Sequence, residues 1–474
     1  MGLRKNMISN LLLSSSAVLF PLITFPYVTR TLSSDGLGSY FFYDAFTQYL
    51  ILFSAVGIPF YGIREISKLK IDEPSRSKLV VELLTIQVSL ALLFSIILVG
   101  AYLLIPGLNG DFKMIKISCL NLIGSSFLME WFYQGIEKFT YITVRSLIIR
   151  SLCVLGIICL VKHAGDNDIY YLLLTLAVIA NALLNFIYYL KNYHHPYTGQ
   201  LELKRHVKSL LILFSINVSV SVYAVIDTII LKFLTSNVDV SYYNVPFKLV
   251  KIYWTLMNAV GLVLIPRIAA YFSKNDMQSV RSALEKSLNV VLLLGLPFSF
   301  FCIMFAGDII NVVAGPKYVL AVPALRLLSF IPFIIAVCNV FGAQFLLPAG
   351  KEKKILHATL VGLAISLALN FLLIPHFRFM GTAIASVTAE TAVCVYIVAA
   401  AVKEINIILD YRLIVQIIIS AVATAIIRYG FLPAWNGIPI LFVAGITYCL
   451  SFLALQLFWF KNAFIYSLVN FKHL

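Results

Sequence analysis

The chain has 474 residues, of which 61% are hydrophobic and only 12% are charged. Soluble globular proteins carry about 25% charged residues, so this composition excludes an ordinary soluble protein and indicates a polytopic membrane protein. The net charge of +15 does not indicate nucleic-acid binding, because the basic residues recur in short loops and form no basic soluble region.

Apolar stretches of about 20 residues predict membrane-spanning helices. The first stretch is longer than the apolar core of a signal peptide, so we expect an uncleaved first span. The sequence therefore predicts an all-α polytopic membrane protein of about 14 transmembrane helices. In chain order these are residues 9–29, 39–62, 79–105, 113–133, 139–161, 169–190, 209–232, 241–266, 286–306, 322–346, 355–375, 380–402, 412–430 and 438–459.

The distribution of lysine and arginine predicts the orientation of these spans. Basic residues are most frequent in the loops that lie on the same side as the N-terminus, such as the segment 64–78 after the second span. By the positive-inside rule, this side is cytoplasmic. Both termini are therefore expected to be cytoplasmic.

Proline and glycine interrupt several spans and predict local breaks or kinks in the helices. The clearest positions are Gly57 with Pro59 and Gly295 with Pro297. Ordinary tolerance of proline in membrane helices is the alternative interpretation.

Two pairs of segments indicate an internal repeat. RTLSSDGLGSYF (30–41) matches KFLTSNVDVSYY (232–243) with Ser34 opposite Ser236, and QGIEKF (134–139) matches AGKEKK (349–354). Chance similarity in a chain of low diversity is the alternative. A repeat predicts two six-helix lobes, 1–204 and 205–403, related by a pseudo-two-fold axis along the membrane normal. Residues 404–474 would add two spans and a cytoplasmic tail.

Four basic residues fall inside predicted spans, where a charge is costly and indicates function by default. Arg145 and Arg150 lie in the fifth span, and Lys248 and Lys251 lie in the eighth. The lysines are three residues apart, so they share one flank of a helix. Cations in both halves favour an anionic substrate such as a phosphate or diphosphate. Arg145 is close enough to the span end that snorkelling to the interface is an equal alternative.

Acidic residues also fall inside spans, at Asp44, Glu130, Asp227 and Glu390. They could form ion pairs with the buried cations, or they could relay H⁺ or Na⁺. The sequence leaves both interpretations open.

No motif in the sequence predicts a cofactor, a metal site or catalysis. It contains neither GxxxxGK[ST] nor HExxH, and it has no CxxC pair. The seven cysteines fall in apolar stretches, so we expect them to be buried thiols. The histidines in or near loops are expected to be solvated: His163, His194, His195, His206 and His357.

Several segments together resemble the Wzx-type O-antigen and polysaccharide flippases. These belong to the polysaccharide transporter family of the multidrug/oligosaccharidyl-lipid/polysaccharide superfamily. The resemblance extends to about residue 400 and rests most on FP-x-x-x-R-x-L, GIRE and WF-x-QG-x-E. The matching segments are residues 12–42, 55–68, 129–152, 346–353 and 369–390.

This resemblance implies a two-lobed bundle that moves an undecaprenyl-diphosphate-linked oligosaccharide by alternating access. The direction would be from the cytoplasmic to the periplasmic leaflet of a bacterial inner membrane, with an H⁺ or Na⁺ gradient as a possible driving force. A polysaccharide polymerase and a chain-length regulator are implied partners. The resemblance adds Arg30 to Arg145, Arg150, Lys248 and Lys251 as cations of the substrate cavity, and it makes Arg64 and Glu65 a cytoplasmic gate.

Three rival functions remain to be distinguished. A multidrug and toxin extrusion antiporter could use the same fold, although buried Arg and Lys disfavour its cationic substrates. A membrane polysaccharide polymerase or ligase would be expected to have a large outward loop, which the sequence lacks. A scaffold for such enzymes would need no charged interior.

Overall fold

The computed structural model describes residues 2–69, 72–104, 111–197, 199–221, 223–262, 264–407, 411–431 and 438–459. Across these ranges the regular structure is helical, without a β-strand. The predicted cytoplasmic tail beyond residue 459 lies outside the described residues. Contacts between residues divide the chain into two compact units, Met1–Ser241 and Tyr242–Leu474. The lobe boundaries at 204 and 403, as repeat boundaries, stay predictions.

The first unit is built from ten helices and the start of an eleventh. These are α1 (Gly2–Thr31), α2 (Ser34–Ala55), α3 (Ile58–Lys68), α4 (Glu73–Leu104), α5 (Phe112–Ser126), α6 (Glu130–Gly135), α7 (Phe139–Leu160), α8 (Asn167–Asn192), α9 (Lys204–Ser221), α10 (Tyr223–Leu234) and α11 (Asn237–Leu262).

The second unit continues from within α11. Its helices are α12 (Ile265–Ser273), α13 (Met277–Val313), a 3₁₀ turn (Pro316–Ala321), α14 (Val322–Leu328), α15 (Ile331–Phe341), a π-helical turn (Gly342–Leu346), α16 (Glu352–Phe377), α17 (Phe379–Val402), α18 (Tyr411–Phe431), α19 (Ile438–Ala454) and a second π-helical turn (Leu455–Trp459).

Nine helical segments of the described chain are long and apolar enough to cross a membrane. They match the predicted spans two to six and nine to twelve, so the all-α polytopic fold is confirmed. The exact number of fourteen spans stays a prediction. The nine segments are Ser34–Lys68, Glu73–Leu104, Phe112–Gly135, Phe139–Leu160, Asn167–Asn192, Met277–Val313, Pro316–Leu346, Glu352–Phe377 and Phe379–Val402.

Helix α4 illustrates how such a helix is packed for a lipid environment. Leu92, Leu93 and Ile96 are exposed on one face, whereas Ala91 and Ser95 on the other face are buried. Small residues at helix contacts allow close approach of backbones, while lipid chains solvate large apolar side chains. This inside-out pattern is the reverse of a soluble helix.

Two spans are broken by residues in the left-handed region. Val56 (φ 41°) and Gly57 (φ 78°) separate α2 from α3, which confirms the predicted interruption near Gly57. Met129 (φ 47°) separates α5 from α6, and this break was not predicted.

Pro297 lies inside α13, and the non-helical residue there is Phe305 (φ −104°, ψ 15°). The kink therefore lies about two turns beyond the proline.

The two segments matched in the sequence each begin a helix at a serine cap. The Ser33 hydroxyl accepts a hydrogen bond from the backbone N of Gly36 at 3.0 Å before α2, and the Ser236 hydroxyl accepts one from Asp239 N at 3.3 Å before α11. An N-cap hydroxyl fixes where a helix begins. The caps therefore pair Ser33 with Ser236, one residue away from the pairing given by the sequence comparison.

A second pair of caps opens α4 and α13. The Asp72 carboxylate accepts a hydrogen bond from Ser75 N at 3.1 Å, and the Asp276 carboxylate accepts one from Ser279 N at 3.0 Å. In both cases the hydrogen bonds from the serine lower the pKa of the aspartate. The same residue types at the same spacing therefore cap α4 and α13.

A third pair of matching turns precedes α7 and α16. Lys138 N donates to the carbonyl of Tyr133, and Lys351 N donates to the carbonyl of Leu346, each at 2.9 Å. The residue before each lysine has positive φ, Glu137 at 61° and Gly350 at 71°. These features define a C-terminal capping turn that reverses the chain. By this geometry Glu137 corresponds to Gly350, two residues from the Gly135–Gly350 pairing of the sequence comparison, and the repeat itself stays a prediction.

All seven cysteines are free thiols. Cys302 is buried, four others are half-buried, and Cys159 and Cys449 are exposed, so the expectation of buried thiols is wrong for these two and only partly met by the four. Both lie on apolar helices, α7 and α19, where lipid rather than protein can cover a thiol.

Candidate functional site

Arg145 lies in the first third of α7 and forms an ion pair with Glu130. Arg145 Nη2 is 3.3 Å from Glu130 Oε1 and 3.2 Å from the Ser146 hydroxyl. The guanidinium also lies 5.6 Å from the centroid of the Tyr141 ring. Glu130 is the first residue of α6, so the break at Met129 positions this carboxylate beside α7.

Arg150 lies further along α7 and binds α1. Its Nη1 donates to the carbonyl oxygen of Leu13 at 3.2 Å and also contacts the Ser16 hydroxyl. Both partners are uncharged. Among the side chains that the structure describes, Arg150 forms no ion pair, so its hydrogen bonds fix α7 against α1 without neutralising its charge.

These contacts explain how one span tolerates two arginines. A charged side chain at a helix centre costs about 2.5–3.5 kcal/mol on insertion scales. Here Glu130 interacts electrostatically with both Arg145 and Arg150, and hydrogen bonds satisfy part of each guanidinium. One carboxylate faces two cations, so this part of the first unit carries a local excess of positive charge.

A second charged network lies where the chain enters α9, and the sequence analysis did not identify it. Glu82, fully buried on α4, accepts hydrogen bonds from Arg205 Nη2 at 2.6 Å and from Glu202 N at 2.7 Å. His206 Nε2 lies 2.8 Å from the same carboxylate, and its Nδ1 lies 2.7 Å from the Tyr61 hydroxyl. The network joins α3, α4 and α9.

His206 is 2% exposed, so the expectation that it is solvated is wrong. A hydrogen-bond arrangement in which Nε2–H donates to Glu82 and the Tyr61 hydroxyl donates to Nδ1 satisfies all three groups. The sequence signal for this site is weak. It consists of Arg205 directly before His206 and of an acidic residue, Glu82, in a distant apolar helix. Local reasoning could not pair residues so far apart.

The other predicted residues lie on several helices. Arg64 Nε and Lys68 Nζ bind Glu65 at 2.8 and 3.0 Å near the end of α3. Among carboxylates, Asp227 and Glu390 are buried and Asp44 is half-buried. Among the remaining cations, Arg30 is exposed in the last turn of α1. Lys248 and Lys251 both lie on α11, where Lys248 is half-buried and Lys251 is exposed.

An apolar cleft of about 450 Å³ lies in the second unit between α11, α13 and α19. Tyr253 and Phe298 stack there with ring centroids 3.5 Å apart, and Tyr253 Oη donates to the carbonyl of Leu294 at 2.6 Å. Among the described residues, no charged side chain lines the cleft. It suits an apolar chain and not a headgroup.

Within the part of the chain that the structure describes, no three His, Cys, Asp or Glu side chains converge in a way that could hold a metal ion. The chemistry available at the arginine cluster is therefore electrostatic. It can attract an anion and donate hydrogen bonds to its oxygens.

Comparisons with known proteins agree with a transport fold. Residues 3–272 match the model of a family described as polysaccharide biosynthesis protein, and residues 213–372 match the MatE family model. A relative from Escherichia coli (strain K12), named "Putative O-antigen transporter", is 27% identical over 398 residues. The match covers 83% of this chain and 95% of that relative.

Two solved structures share the fold. The structure of the lipid II flippase MurJ in an inward closed conformation aligns with a TM-score of 0.74 at 14% identity, over 96% of this chain and 99% of that one. An inward-facing multidrug resistance MATE family transporter of the MOP superfamily aligns with a TM-score of 0.65 at 13% identity, over 84% of this chain and 97% of that one.

Proposed function

Since the chain belongs to the polysaccharide biosynthesis protein family, we propose that it is a flippase that moves a lipid-linked oligosaccharide between the leaflets of a membrane. The observation that carries the proposal is the pair of arginines on the apolar helix α7, where Arg145 binds Glu130 and Arg150 binds only uncharged groups of α1. A full-length relative named as an O-antigen transporter supports the same function.

The substrate that fits this cluster is a polyprenyl diphosphate, specifically undecaprenyl diphosphate carrying a glycan. A diphosphate and its sugars cannot cross hydrocarbon without partners, because each unpaired polar group costs several kcal/mol there. Arg150, whose partners are a carbonyl and a hydroxyl, retains a charge that can pair with phosphate oxygens. Arginine binds such oxygens with two parallel hydrogen bonds.

Further cations extend this proposal along the chain. We assign Arg30, Lys248 and Lys251 to the headgroup path, and Arg64 with Glu65 to a gate at its cytoplasmic end. The proposed membrane is a bacterial inner membrane, with both termini in the cytoplasm by the positive-inside rule. A polysaccharide polymerase and a chain-length regulator are proposed partners.

Ion coupling is a separate part of the proposal. Asp44, Asp227 and Glu390 are carboxylates within apolar helices, and such groups can carry H⁺ or Na⁺. Glu130 is paired with Arg145. Protonation of Glu130 would release Arg145, which would link ion binding to the charge of the cluster.

The test is translocation in proteoliposomes. A polyprenyl-diphosphate oligosaccharide is followed by its accessibility to an impermeant glycan-cleaving enzyme, with and without an imposed proton gradient. We expect transfer by the wild type and loss of transfer by Arg150→Gln, while Arg150→Lys retains part of the activity because it keeps the charge. Normal transfer by Arg150→Gln would remove Arg150 from the path.

A matched control is Arg281→Gln. Arg281 is a partly exposed arginine that pairs with Glu285 at 3.0 Å near the start of α13. It tests whether loss of any cation reduces transfer. The flippase proposal itself would be contradicted if folded wild-type protein transferred no more glycolipid than empty liposomes do. This result would have to hold for several glycans.

The MatE match over residues 213–372 supports one alternative, a cation antiporter. Buried Asp227 and Glu390 could attract a cationic substrate. Efflux of a cationic dye from proteoliposomes separates the alternatives, since the arginine cluster should repel such a dye.

A further inference from the structure

A groove of about 610 Å³ lies between α7 and α8 at the end where α7 begins and α8 ends. Its walls are apolar and exposed, formed by Val144, Ile148, Leu184 and Ile187. The helices are membrane spans, so these side chains face lipid. The groove therefore opens directly to the bilayer.

Arg145 lines this groove although it is 94% buried, with 6% of its surface exposed. Its Nη2 binds Glu130 and Ser146. Its Nε and Nη1 have no hydrogen-bond partner in the part of the chain that the structure describes. A buried donor without a partner costs about 1–3 kcal/mol, and more when it is charged. A small turn of the Arg145 side chain towards the groove would let an anion oxygen reach these donors and remove that cost.

Two tyrosines shape the groove beside Arg145. Tyr141 and Tyr188 stack with ring centroids 4.2 Å apart, and Tyr141 Oη donates to the carbonyl of Leu184 at 3.1 Å. The stack joins α7 to α8 and keeps Arg145 under an aromatic ring. Tyrosine rings at this level are typical of the boundary between headgroups and acyl chains.

The two charged residues in the described lining of the groove are both basic. They are Arg145, whose partner Glu130 lies outside that lining, and Lys191, which is exposed in the last turn of α8. Two cations therefore lie near the ends of the helices, and apolar walls continue from them into the membrane. This arrangement matches a molecule with an anionic phosphate and an apolar tail. Basic pockets between transmembrane helices bind such headgroups.

We propose that the groove between α7 and α8 is a binding site for a resident anionic phospholipid, with its phosphate at Arg145 and Lys191 and an acyl chain along Val144, Ile148, Leu184 and Ile187. The site lies within one helical unit and is open to lipid, so an ordinary membrane lipid can occupy it without any transport step. Arg145 also belongs to the arginine cluster of the proposed function, and the displacement experiment below distinguishes a resident lipid from the transported one.

The experiment uses the full chain, purified in mild detergent and exchanged into phosphatidylcholine nanodiscs. Native mass spectrometry then measures retained phospholipid, and titration with phosphatidylglycerol measures binding. We expect one phosphatidylglycerol per chain, bound about tenfold more tightly than phosphatidylcholine. Ile148→Trp fills the groove without touching the Arg145–Glu130 pair and should weaken binding about tenfold. Lys191→Gln should weaken it by a smaller factor.

The matched control is Leu152→Trp, one turn further along the exposed face of α7 and outside the groove. It should bind phosphatidylglycerol as the wild type does. Equal binding by Ile148→Trp and wild type, or equal binding of phosphatidylcholine and phosphatidylglycerol, would overturn the proposal. Displacement of phosphatidylglycerol by an equimolar polyprenyl diphosphate would also overturn it, because the groove would then belong to the transported lipid.

Discussion

The carboxylate of Glu82 on α4 lies 2.6 Å from the guanidinium of Arg205 at the start of α9. The two residues differ sharply in burial, since the Glu82 side chain has no exposed surface and that of Arg205 is 44% exposed. This pair fastens the segment that enters α9 to a membrane span. The difference in burial decides what each substitution will cost.

Arg205→Gln is expected to destabilise the protein more than Glu82→Gln. Removing Arg205 leaves a buried carboxylate supported only by His206 and a backbone N–H, which costs about 3 kcal/mol. Removing the charge of Glu82 leaves Arg205 free to turn towards water, so the cost is nearer the 1–2 kcal/mol of lost hydrogen bonds. Thermal and denaturant unfolding of the purified variants in one detergent measures both.

The control for this comparison is Glu65→Gln on α3. Glu65 also binds two cations, but Arg64 and Lys68 are more than half exposed. Pairs of that kind contribute about 0–1 kcal/mol. A cost for Glu65→Gln equal to that for Arg205→Gln would mean that burial does not set the energy of these pairs.

Gly38→Ala tests the contact between α2 and the start of α11. A Cβ at Gly38 would overlap the backbone carbonyl of Asn237, and backbone atoms cannot move aside as a flexible side chain can. We expect a loss of stability of about 1–3 kcal/mol, together with lower yield of folded protein in size-exclusion chromatography.

Gly100→Ala is the matched control, because no atom lies within 4 Å of a Cβ added there. Alanine in a helix interior is favoured over glycine by about 0.5–1 kcal/mol, so this variant should be neutral or slightly more stable. If both glycine variants lost stability equally, the close approach of α2 to Asn237 would not be the cause.

Much of the fold could be predicted because a membrane span needs only length and apolar character. Segments such as Glu73–Leu104 and Phe139–Leu160 satisfy both. The break at Gly57 was predictable too, since glycine enters the left-handed region without strain. The break at Met129 was not predictable, because no local signal marks a methionine with φ of 47°.

The sequence was enough to predict which residues form the candidate site, but it could not predict which of them bind each other. Arg145, Arg150 and Glu130 each stand out as charges in an apolar run, but only the fold shows that Arg145 binds Glu130 and that Arg150 binds α1. His206 was mistaken for a solvated residue because its partner, Glu82, is distant in sequence. The repeat between the two halves stays a prediction, and the Ser33 and Ser236 caps differ by one residue from the register of the sequence comparison, since apolar sequence constrains register weakly.

Similar capping turns precede α7 and α16. We expect substitutions at Glu137 and Gly350, the positive-φ residues of these turns, to change stability in opposite directions. Gly350→Ala introduces a Cβ at φ 71° and should cost about 1–2 kcal/mol. Glu137→Gly removes a Cβ at φ 61° and should be neutral or stabilising, since glycine is the usual residue at this capping position. Thermal unfolding of both variants in one detergent is the measurement. Destabilisation by both would show that the two turns are not equivalent.

Glu404 predicts the pH dependence of stability in the second unit. It lies just beyond α17 and binds Lys351 and Lys354, with Lys354 Nζ at 2.9 Å. These hydrogen bonds lower the pKa of Glu404 to about 2, well below the ordinary glutamate value of about 4.3. The folded state therefore favours the ionised carboxylate, so the pair stabilises the protein above about pH 4.3 and loses that effect as the pH falls towards 2.

Glu404→Gln should accordingly lower the unfolding temperature at pH 7, by a margin that shrinks between pH 4 and pH 2 and vanishes below it. Differential scanning fluorimetry across this pH range, in a detergent stable to acid, measures the margin. Glu352→Gln, an exposed residue in the first turn of α16, controls for the loss of a carboxylate beside the same lysines. The difference in unfolding temperature between Glu404→Gln and the wild type would stay constant with pH if the substitution removed only packing contacts. Such a result would contradict the prediction, because the loss of an ion pair must depend on whether Glu404 is ionised.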